Sequence, residues 1–181
     1  MDMNIIGICG KAGVGKSTSA KFLVEGRGFV EINLADEIKR VAKRWYGFTD
    51  DQLYGPSASR MIPNARPPHL VPRRVLQQLG TEVGRLIYAD TWIDFCLASA
   101  EKALKKVRGV VVGDVRFPNE ALAIQRAGGM ILKINRTVPG VVDGHLSETS
   151  VDDVIEDVLI DNVGTLEELK EQVLACVVEA S

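Results

Sequence analysis

Short apolar runs alternate with amphipathic stretches along the chain, and this pattern predicts strands that alternate with helices. Residues 4–9 form an apolar run followed by glycine, as expected of a buried parallel strand. Helical periodicity follows over about residues 15–25, and Gly26 or Gly28 is expected to close that helix. Residues 29–33 are predicted to form a second strand.

Three further stretches have the spacing of helices with one apolar face. The first contains Ile38, Val41, Ala42 and Trp45, and the second contains Val75, Leu76, Leu79, Val83, Leu86 and Ile87. The third is expected to begin with Thr91 as its N-cap and to run to about Val107. Five of the seven prolines fall within residues 56–72, which predicts a loop or a small mobile subdomain there.

Three more strands are predicted in the second half of the chain. Residues 109–113 form the clearest central strand and end at Asp114, and strands follow at residues 130–135 and 158–160. Strands that alternate with helices imply a mostly parallel sheet with helices on both faces. We find neither an internal repeat nor a separating linker, so residues 1–181 are predicted to form one α/β domain.

The helices of this second half have recognisable ends. Asn119 is expected to cap a helix that closes at Gly128 and Gly129. Thr165 and Glu168 have the spacing of a capping box, which predicts the start of a C-terminal helix.

The composition and net charge of the chain limit the kinds of molecule that it is expected to bind. The chain has 46% hydrophobic residues, 25% charged residues and a formal net charge of −2. No global field therefore attracts a nucleic-acid polymer or an anionic membrane, and no apolar run approaches the length of a membrane-spanning helix. Cys9, Cys96 and Cys176 are odd in number and widely spaced, which favours small core hydrophobes over disulfides or a metal pair. We expect a reducing, cytoplasmic setting.

The main chemical motif lies between the first predicted strand and the first predicted helix. Residues 10–17 match the phosphate-loop pattern G-x-x-x-x-G-K-[ST] at every fixed position. Its glycines let backbone N–H groups face an anion, Lys16 would reach the β and γ phosphates, and Ser17 would hold Mg²⁺. The residues expected to contact ATP here are Lys11, Ala12, Gly13, Val14, Gly15, Lys16, Ser17 and Thr18.

The same motif excludes some classes and leaves others open. The glycine order is G-x-x-G-x-G, which does not fit a dinucleotide-binding loop. The chain has no N-K-x-D sequence of the kind that GTPases use to read the base, and it is short for a motor ATPase. A small-molecule kinase is the class that remains.

Acidic and basic residues suggest how a phosphate acceptor is held. Asp114 ends a predicted central strand, where it could bind Mg²⁺ directly or through water, or simply cap a turn. The arginines that could pair with phosphate oxygens are Arg60, Arg66, Arg73, Arg74, Arg85, Arg116 and Arg136. Arg73 and Arg85 are more than three turns apart on one continuous helix, whereas a break at Gly80 would let both converge on one anion.

Several blocks of the chain resemble bacteriophage deoxynucleoside monophosphate kinases. These blocks are residues 10–17, 35–39, 73–82, Trp92, 114–116, Glu120, 145–148 and 161–169. They occur in the order found in that family and cover nearly the whole chain. The block at 73–82 followed by Trp92 is the most specific, whereas the block at 161–169 is also similar to dephospho-CoA kinases.

The resemblance implies a P-loop NTPase three-layer α/β fold with a parallel five-stranded sheet. It further implies an acceptor-binding helical insertion at about residues 36–92 and a short lid at about residues 136–148. The implied reaction transfers the γ-phosphoryl group of ATP to a deoxynucleoside 5′-monophosphate with Mg²⁺ as cofactor. ATP and the monophosphate are the expected partners, in the host cytoplasm if a phage encodes the chain, and a homodimer stays open.

The resemblance also implies roles for individual residues. Those implied to contact the monophosphate are Asp36, Lys39, Arg73, Gly80, Thr81, Arg85, Trp92, Asp114, Arg116 and Glu120. Those implied in catalysis are Lys16, Arg73, Asp114, Arg116 and Arg136, with Ser17 and Asp114 at the metal. Arg136 would act from the lid, and Asn162 and Gly164 would border the adenine. Residues 49–72 match no motif of the family, and we expect them to shape the choice of base.

The chemistry of such a transfer needs charge more than a base. A phosphate monoester with a second pKa of about 6 is mostly dianionic at neutral pH, so neither His69 nor His145 is required as a general base. His145 could fix the lid or bind a ligand, and Trp92 could stack on the base or pack in the core. The lid contains no cysteine, which excludes a zinc-stabilised lid. A dephospho-CoA kinase-like enzyme and a nucleotide-binding switch ATPase are the alternatives.

Overall fold

The computed structural model describes residues 4–137 and 150–177. Its strands are β1 (Ile5–Cys9), β2 (Val30–Glu31), β3 (Val110–Val115), β4 (Met130–Asn135) and β5 (Val158–Asp161). Its α-helices are α1 (Lys16–Arg27), α2 (Ala35–Tyr46), α3 (Asp50–Tyr54), α4 (Pro72–Gln77), α5 (Arg85–Ile87), α6 (Thr91–Leu104), α7 (Pro118–Arg126) and α8 (Leu166–Ala175). The described part also has 3₁₀ segments at Ser57–Met61 and Ser150–Asp153 and a π-helical segment at Gln78–Gly84.

The five strands form one parallel sheet in the order β2-β3-β1-β4-β5, which confirms the predicted α/β class. All five residues of β1 are buried, because this central strand has helices on both of its faces. On one face Ile6 and Ile8 belong to a cluster with Leu23 of α1 and Leu169 of α8. On the other face the Cα of Gly7 lies against Ile124 of α7.

The contacts divide the chain into two compact units. The sheet unit contains the described residues up to Asn33 and from Cys96 onwards, and the helical unit contains residues 34–95. The core of the helical unit consists of Ile38, Ala42, Phe48, Leu53, Val75 and Leu79. The helical unit has bounds close to those of the region 36–92 predicted to bind the acceptor, and that role stays a prediction.

The stretch from Thr49 to Pro72 has more regular structure than the sequence predicts. α3 begins after a capping box in which Thr49 Oγ1 accepts from the N–H of Gln52, at 3.2 Å. A 3₁₀ segment follows, and α4 begins at Pro72, the last proline of the stretch. Proline suits this first helical position because it lacks the N–H that would be unpaired there.

Several predicted helix ends shift. Gly28, with φ of 68°, closes α1, whereas Gly26 lies inside the helix. The predicted N-cap Asn119 is wrong: α7 begins at Pro118, and Phe117 precedes it as the cap residue. Thr91 is the first residue of α6 rather than its cap, and its hydroxyl donates to the carbonyl of Tyr88 at 2.7 Å.

Other boundaries follow the prediction more closely. β4 matches residues 130–135, and β5 extends the predicted last strand by one residue. The second strand is only two residues long. The capping box of α8 is confirmed, because Thr165 Oγ1 accepts from the N–H of Glu168 at 3.2 Å.

Apolar periodicity overestimates how much of two helices is buried. Trp45 on α2 is 66% exposed, and Leu86 and Ile87 at the end of α5 are 83% and 81% exposed. Val83 is also exposed. The helices exist as predicted, but their apolar stripes extend beyond the surface that the described residues cover.

The cysteines behave largely as small hydrophobes. Cys9 and Cys96 are buried, and Cys176 is half-buried just after α8. Across residues 4–137 and 150–177, none of the helices combines the length and the apolar character that a membrane span requires.

Candidate active site

The phosphate loop connects β1 to α1 through backbone angles that suit glycine. Gly10 has φ of 141° and Gly15 has φ of 113°, both in the left-handed half of conformational space. A Cβ at Gly10 would also collide with the backbone oxygen of Ile134 on β4. The sequence motif therefore forms a turn that other residue types would strain.

The first turn of α1 is open to an anion. Gly15 precedes the helix without a side-chain cap, and this turn contains no acidic residue. Lys16 bends back over the loop, where its ammonium donates to the carbonyls of Gly10 and Lys11, both at 2.7 Å. Ser17 is exposed at the helix start. Helix N–H groups, the positive end of the dipole and an ammonium group therefore occupy one loop.

Asn162 braces this loop from the end of β5. Its side-chain amide is buried and donates to the carbonyl of Val14 at 2.8 Å. Its backbone N–H donates to Asn135 at the end of β4, also at 2.8 Å. A Cβ at Gly15 would come within 2.7 Å of this amide nitrogen, so the loop and Asn162 are in close contact. The predicted role of Asn162 beside adenine stays a prediction, whereas its contact with the loop is direct.

Asp114 lies in a β-bulge beside the end of β1. The pairing runs from Gly7 with Val112 to Cys9 with Val115, so β3 has one extra residue between these pairs. Asp114 belongs to that bulge and is partly exposed. Bulges often redirect side chains next to active sites. The carboxyl ends of neighbouring parallel strands thus bring Asp114 to the same edge as the phosphate loop, as the sequence predicts.

A hydrogen-bond chain that the sequence analysis missed supports the bulge. The N–H of Gly113 donates to Asn33 Oδ1 at 3.0 Å, and Asn33 Nδ2 donates to Glu31 Oε1 at 2.9 Å. The only sequence signal was a pair of polar residues at the end of a short strand. These side chains hold the backbone next to Asp114.

Glu120 has a structural role that explains its burial. It is 4% exposed, and its Oε2 accepts from the backbone N–H groups of Arg116 and Phe117 at 2.9 and 3.1 Å. A carboxylate is favourable there because it satisfies N–H groups at the start of α7. The carboxylate fixes the backbone of Arg116, and the predicted contacts of both side chains with the acceptor stay predictions.

Two lysines hold the segment that leads into β5. Lys11 of the phosphate loop pairs with Asp152 at 3.0 Å. Lys133 of β4 donates to the carbonyl of Val154 at 3.1 Å and pairs with Glu156 at 3.4 Å. No pattern in the sequence predicts this role of Lys133, because its partners depend on how the strands align.

Burial raises the pKa of the Cys9 thiol to about 11, although the nearby charges of Lys133 and Lys16 lower it. The thiol is therefore protonated at neutral pH, which suits a packing role at the end of β1.

The remaining predicted groups of the sheet unit are peripheral in the described structure. Arg136 is exposed after β4, and Gly164 is exposed before α8. His145 and residues 138–148 of the predicted lid lie outside the described residues.

In the helical unit, two of the predicted acceptor residues meet on α2. Lys39 Nζ lies 3.7 Å from Asp36 Oδ1, one turn earlier on the helix. The ammonium also lies 4.8 Å from the ring centroid of Tyr54 on α3. Tyr54 belongs to the segment 49–72, which matches no motif of the family, and no pattern in the sequence predicts a role for it.

A π-helical segment carries two other predicted residues, Gly80 and Thr81. The indole N–H of Trp92 donates to the carbonyl of Gly80 at 2.8 Å. A Cβ at Gly84 would come within 2.7 Å of the indole nitrogen, so this glycine makes room for the ring. Trp92 also packs against the core of the helical unit, which supports the packing alternative. Its stacking on a base stays a prediction.

Arg73 and Arg85 lie on one helical path that runs from α4 through the π segment to α5. The break at Gly80 considered from the sequence is absent from this path. Arg85 donates to the carbonyl of Ala89 at 3.1 Å, beyond the end of α5. The predicted contacts of both arginines with the acceptor stay predictions.

The candidate metal ligands Ser17 and Asp114 suit an Mg²⁺ ion that is held partly by the phosphates of a bound nucleotide. Within residues 4–137 and 150–177, no group of three or more His, Cys, Asp and Glu residues could hold a metal alone. Ser17 and Asp114 offer the hard oxygen ligands that Mg²⁺ prefers, and the ion would complete its shell with phosphate oxygens and water. The residues present therefore fit a nucleotide-bound Mg²⁺ ion.

Solved structures with the same fold include known kinases. A crystal structure of a Thermus thermophilus protein covers the whole of both chains with 17% identity and a TM-score of 0.55. Dephospho-CoA kinase from Campylobacter jejuni covers 96% of this chain and 95% of its own, with 13% identity and a TM-score of 0.52. At these identities the likeness shows the fold alone.

Sequence comparison identifies the family. A protein of Acanthamoeba polyphaga mimivirus, provisionally named a deoxynucleotide monophosphate kinase, is 34% identical over 193 residues, covering 99% of this chain and 98% of that protein. Residues 56–173 match the family model described as deoxynucleotide monophosphate kinase. That match includes the helical path with Arg73, the bulge with Asp114 and the brace at Asn162. The chain belongs to the deoxynucleotide monophosphate kinase family.

Proposed function

We propose that this enzyme transfers the γ-phosphoryl group of ATP to the 5′-phosphate of deoxynucleoside monophosphates. The observation that carries the proposal is the phosphate loop, shaped by Gly10 and Gly15 and held by Lys16 and Asn162. Membership of the deoxynucleotide monophosphate kinase family supplies the acceptor class.

The sheet unit would bind the donor. Backbone N–H groups of the loop and the first turn of α1 would bind the β and γ phosphates, and the Lys16 ammonium would turn from loop carbonyls to phosphate oxygens. Ser17 and Asp114 would hold Mg²⁺, which neutralises charge on the transferred group when bound. Arg136 would add positive charge near ATP, and Asn162 and Gly164 would border its base.

The helical unit would bind the acceptor through Lys39, Arg73 and Arg85, with Asp36, Gly80, Thr81 and Trp92 as further contacts. Asp114, Arg116 and Glu120 are the other residues that the resemblance implies for the acceptor. The acceptor phosphate is already mostly dianionic at neutral pH, so the transfer needs no general base. At 4 Å, two unit charges repel by about 4 kcal/mol at an effective dielectric constant of 20. Offsetting that repulsion between donor and acceptor is the task of the cationic side chains.

A coupled assay of ADP release tests the proposal. The enzyme is supplied with ATP, Mg²⁺ and one of dTMP, dGMP, dCMP, dAMP or dephospho-CoA, and Lys16→Ala serves as the inactive control. We expect turnover with at least one deoxynucleoside monophosphate. Turnover with dephospho-CoA alone would favour the other kinase class, and slow hydrolysis without any acceptor would favour a nucleotide switch.

The cytoplasmic setting and the phage source stay predictions from the sequence. Two further expectations also stay predictions: that the enzyme does not bind nucleic-acid polymers, and that it could form a homodimer. Sedimentation of the purified enzyme at several concentrations would measure its oligomeric state.

A further inference from the structure

Tyr54 is held in a fixed place by the short helix α3. The capping box of Thr49 and Gln52 fixes the start of this helix, and the side chain of Leu53 is fully buried in the core of the helical unit. Lys43 Nζ lies 2.6 Å from Asp50 Oδ1, which ties α3 to α2. The residue that follows the buried anchor is therefore held against α2.

The ring of Tyr54 lies beneath the ammonium of Lys39. The distance from Lys39 Nζ to the ring centroid is 4.8 Å, within the range of a cation–π contact. The Lys39 side chain is only 17% exposed, and Asp36 Oδ1 lies 3.7 Å from its ammonium. At 3.7 Å the Asp36 carboxylate is too far away to accept a hydrogen bond from the ammonium, so this ion pair uses none of its N–H donors.

An ammonium held in this way suits an incoming anion. A half-buried cation still needs hydrogen-bond acceptors, and a phosphate monoester supplies several. A free lysine side chain would lose its conformational entropy on binding, whereas one already held by a ring and a carboxylate has lost part of it beforehand. The ring therefore acts on binding by orienting Lys39 before the acceptor arrives.

We infer that Tyr54 is a positioning residue for the acceptor, acting through its ring face on the Lys39 ammonium that binds the 5′-phosphate. This inference rests on the proposed function, because it takes Lys39 as an acceptor contact. It gives the segment 49–72, which matches no motif of the family, a defined part in acceptor binding.

Substitution of the ring tests the inference. Tyr54→Leu keeps an apolar side chain but removes the π face, and we expect KM for the best monophosphate to rise by about two- to fivefold. The kcat and the KM for ATP should stay within a factor of two. Tyr54→Phe should restore the wild-type KM because it keeps the ring. Tyr88→Leu is a matched control, since Tyr88 is 53% exposed and Tyr54 is 51% exposed in the same unit.

If Tyr54→Leu is unstable, a variant that preserves the fold can test the inference instead. Replacing Tyr54 by phenylalanine and then by 3,5-difluorophenylalanine keeps the shape of the ring while weakening the negative charge of its face. We expect the KM for the monophosphate to be higher with the fluorinated ring than with phenylalanine, at unchanged melting temperature. Equal values of KM for the two rings would overturn a cation–π role.

A double-mutant cycle separates action through Lys39 from an independent effect. We expect Lys39→Met to raise the KM for the monophosphate by about ten- to a hundredfold, since it removes a charged hydrogen-bond donor. In that background Tyr54→Leu should have no further effect. The inference would be overturned if the two substitutions raised the KM for the monophosphate by factors that multiply in the double variant. It would also be overturned if Lys39→Met kept the wild-type KM, and neither result would contradict the kinase activity. Absence of turnover with every monophosphate would instead refute the proposed function, and the inference with it.

Discussion

Removing the Asn162 side chain should weaken the phosphate loop rather than recognition of the base. Asn162→Ala deletes the hydrogen bond to Val14 and leaves that carbonyl without the buried donor 2.8 Å away. Leaving a buried acceptor unsatisfied costs about 1–3 kcal/mol. At the middle of that range, about 2 kcal/mol, a chain of this size should lose about 4–8 °C in Tm.

The kinetic assay distinguishes the brace from the adenine contact that the sequence implies. The KM is measured for ATP and for GTP, each with the same monophosphate at saturation. If Asn162 orders the loop, both KM values should rise by a similar factor, because the two nucleotides share the triphosphate. If Asn162 contacts adenine, the KM for ATP should rise alone and the preference for ATP over GTP should fall.

Asn135→Ala is the matched control for this experiment. Asn135 lies at the end of the neighbouring strand, where its side chain donates to Asp161 at 2.8 Å in an exposed position. Its loss should change Tm by less than the loss of Asn162, because water can replace an exposed hydrogen bond. Equal losses of Tm in the two variants, or a change confined to ATP, would refute the brace.

Three further predictions follow from the sheet unit. Gly10→Ala should abolish ATP binding measured by calorimetry and should also lower Tm. The new Cβ would collide with the backbone oxygen of Ile134, and a φ of 141° is unfavourable for alanine. Normal ATP binding would contradict the loop geometry. Glu120→Ala should cost about 2–4 kcal/mol in urea unfolding, since one buried and one part-buried N–H group lose a charged acceptor. A cost below about 0.5 kcal/mol would contradict that role. Because the pKa of Cys9 rises from 9.0 to about 11 on folding, the unfolded state loses its proton first, and the free energy of unfolding should fall between these pH values. Cys9→Ala should lack this part of the pH dependence, and identical pH profiles would refute the shift.

The sequence predicted those parts of the donor side that are set locally. The phosphate loop is specified by residues 10–17 alone, since the positions of its glycines determine the backbone turn. The capping box at Thr165 is equally local, and the alternation of apolar runs was enough for the parallel sheet. The loop and the capping box depend on neighbours within a few positions, which a single sequence contains.

Features that depend on alignment of distant segments could not be predicted in this way. The bulge at Asp114 arises from the register of β3 against β1, and no local pattern encodes that register. The assignment of Asn119 as a cap failed for a local reason, because the helix begins one residue earlier, at Pro118, and the N–H of Phe117 donates to Glu120. The exposure of Leu86 and Ile87 shows the converse, since periodicity predicts an apolar face but not whether it is covered.

The block that carried the family resemblance most specifically has a structural explanation of its own. Gly80 and Trp92 are twelve positions apart in the sequence, yet the indole N–H of Trp92 donates to the carbonyl of Gly80. Gly84 is the residue against which the ring packs, and any side chain there would collide with it. These residues are coupled by packing around the π-helical segment, so their joint presence does not require each to touch the acceptor. What the block specifies first is the shape of the helical path that carries Arg73 and Arg85, the two arginines proposed to bind the acceptor.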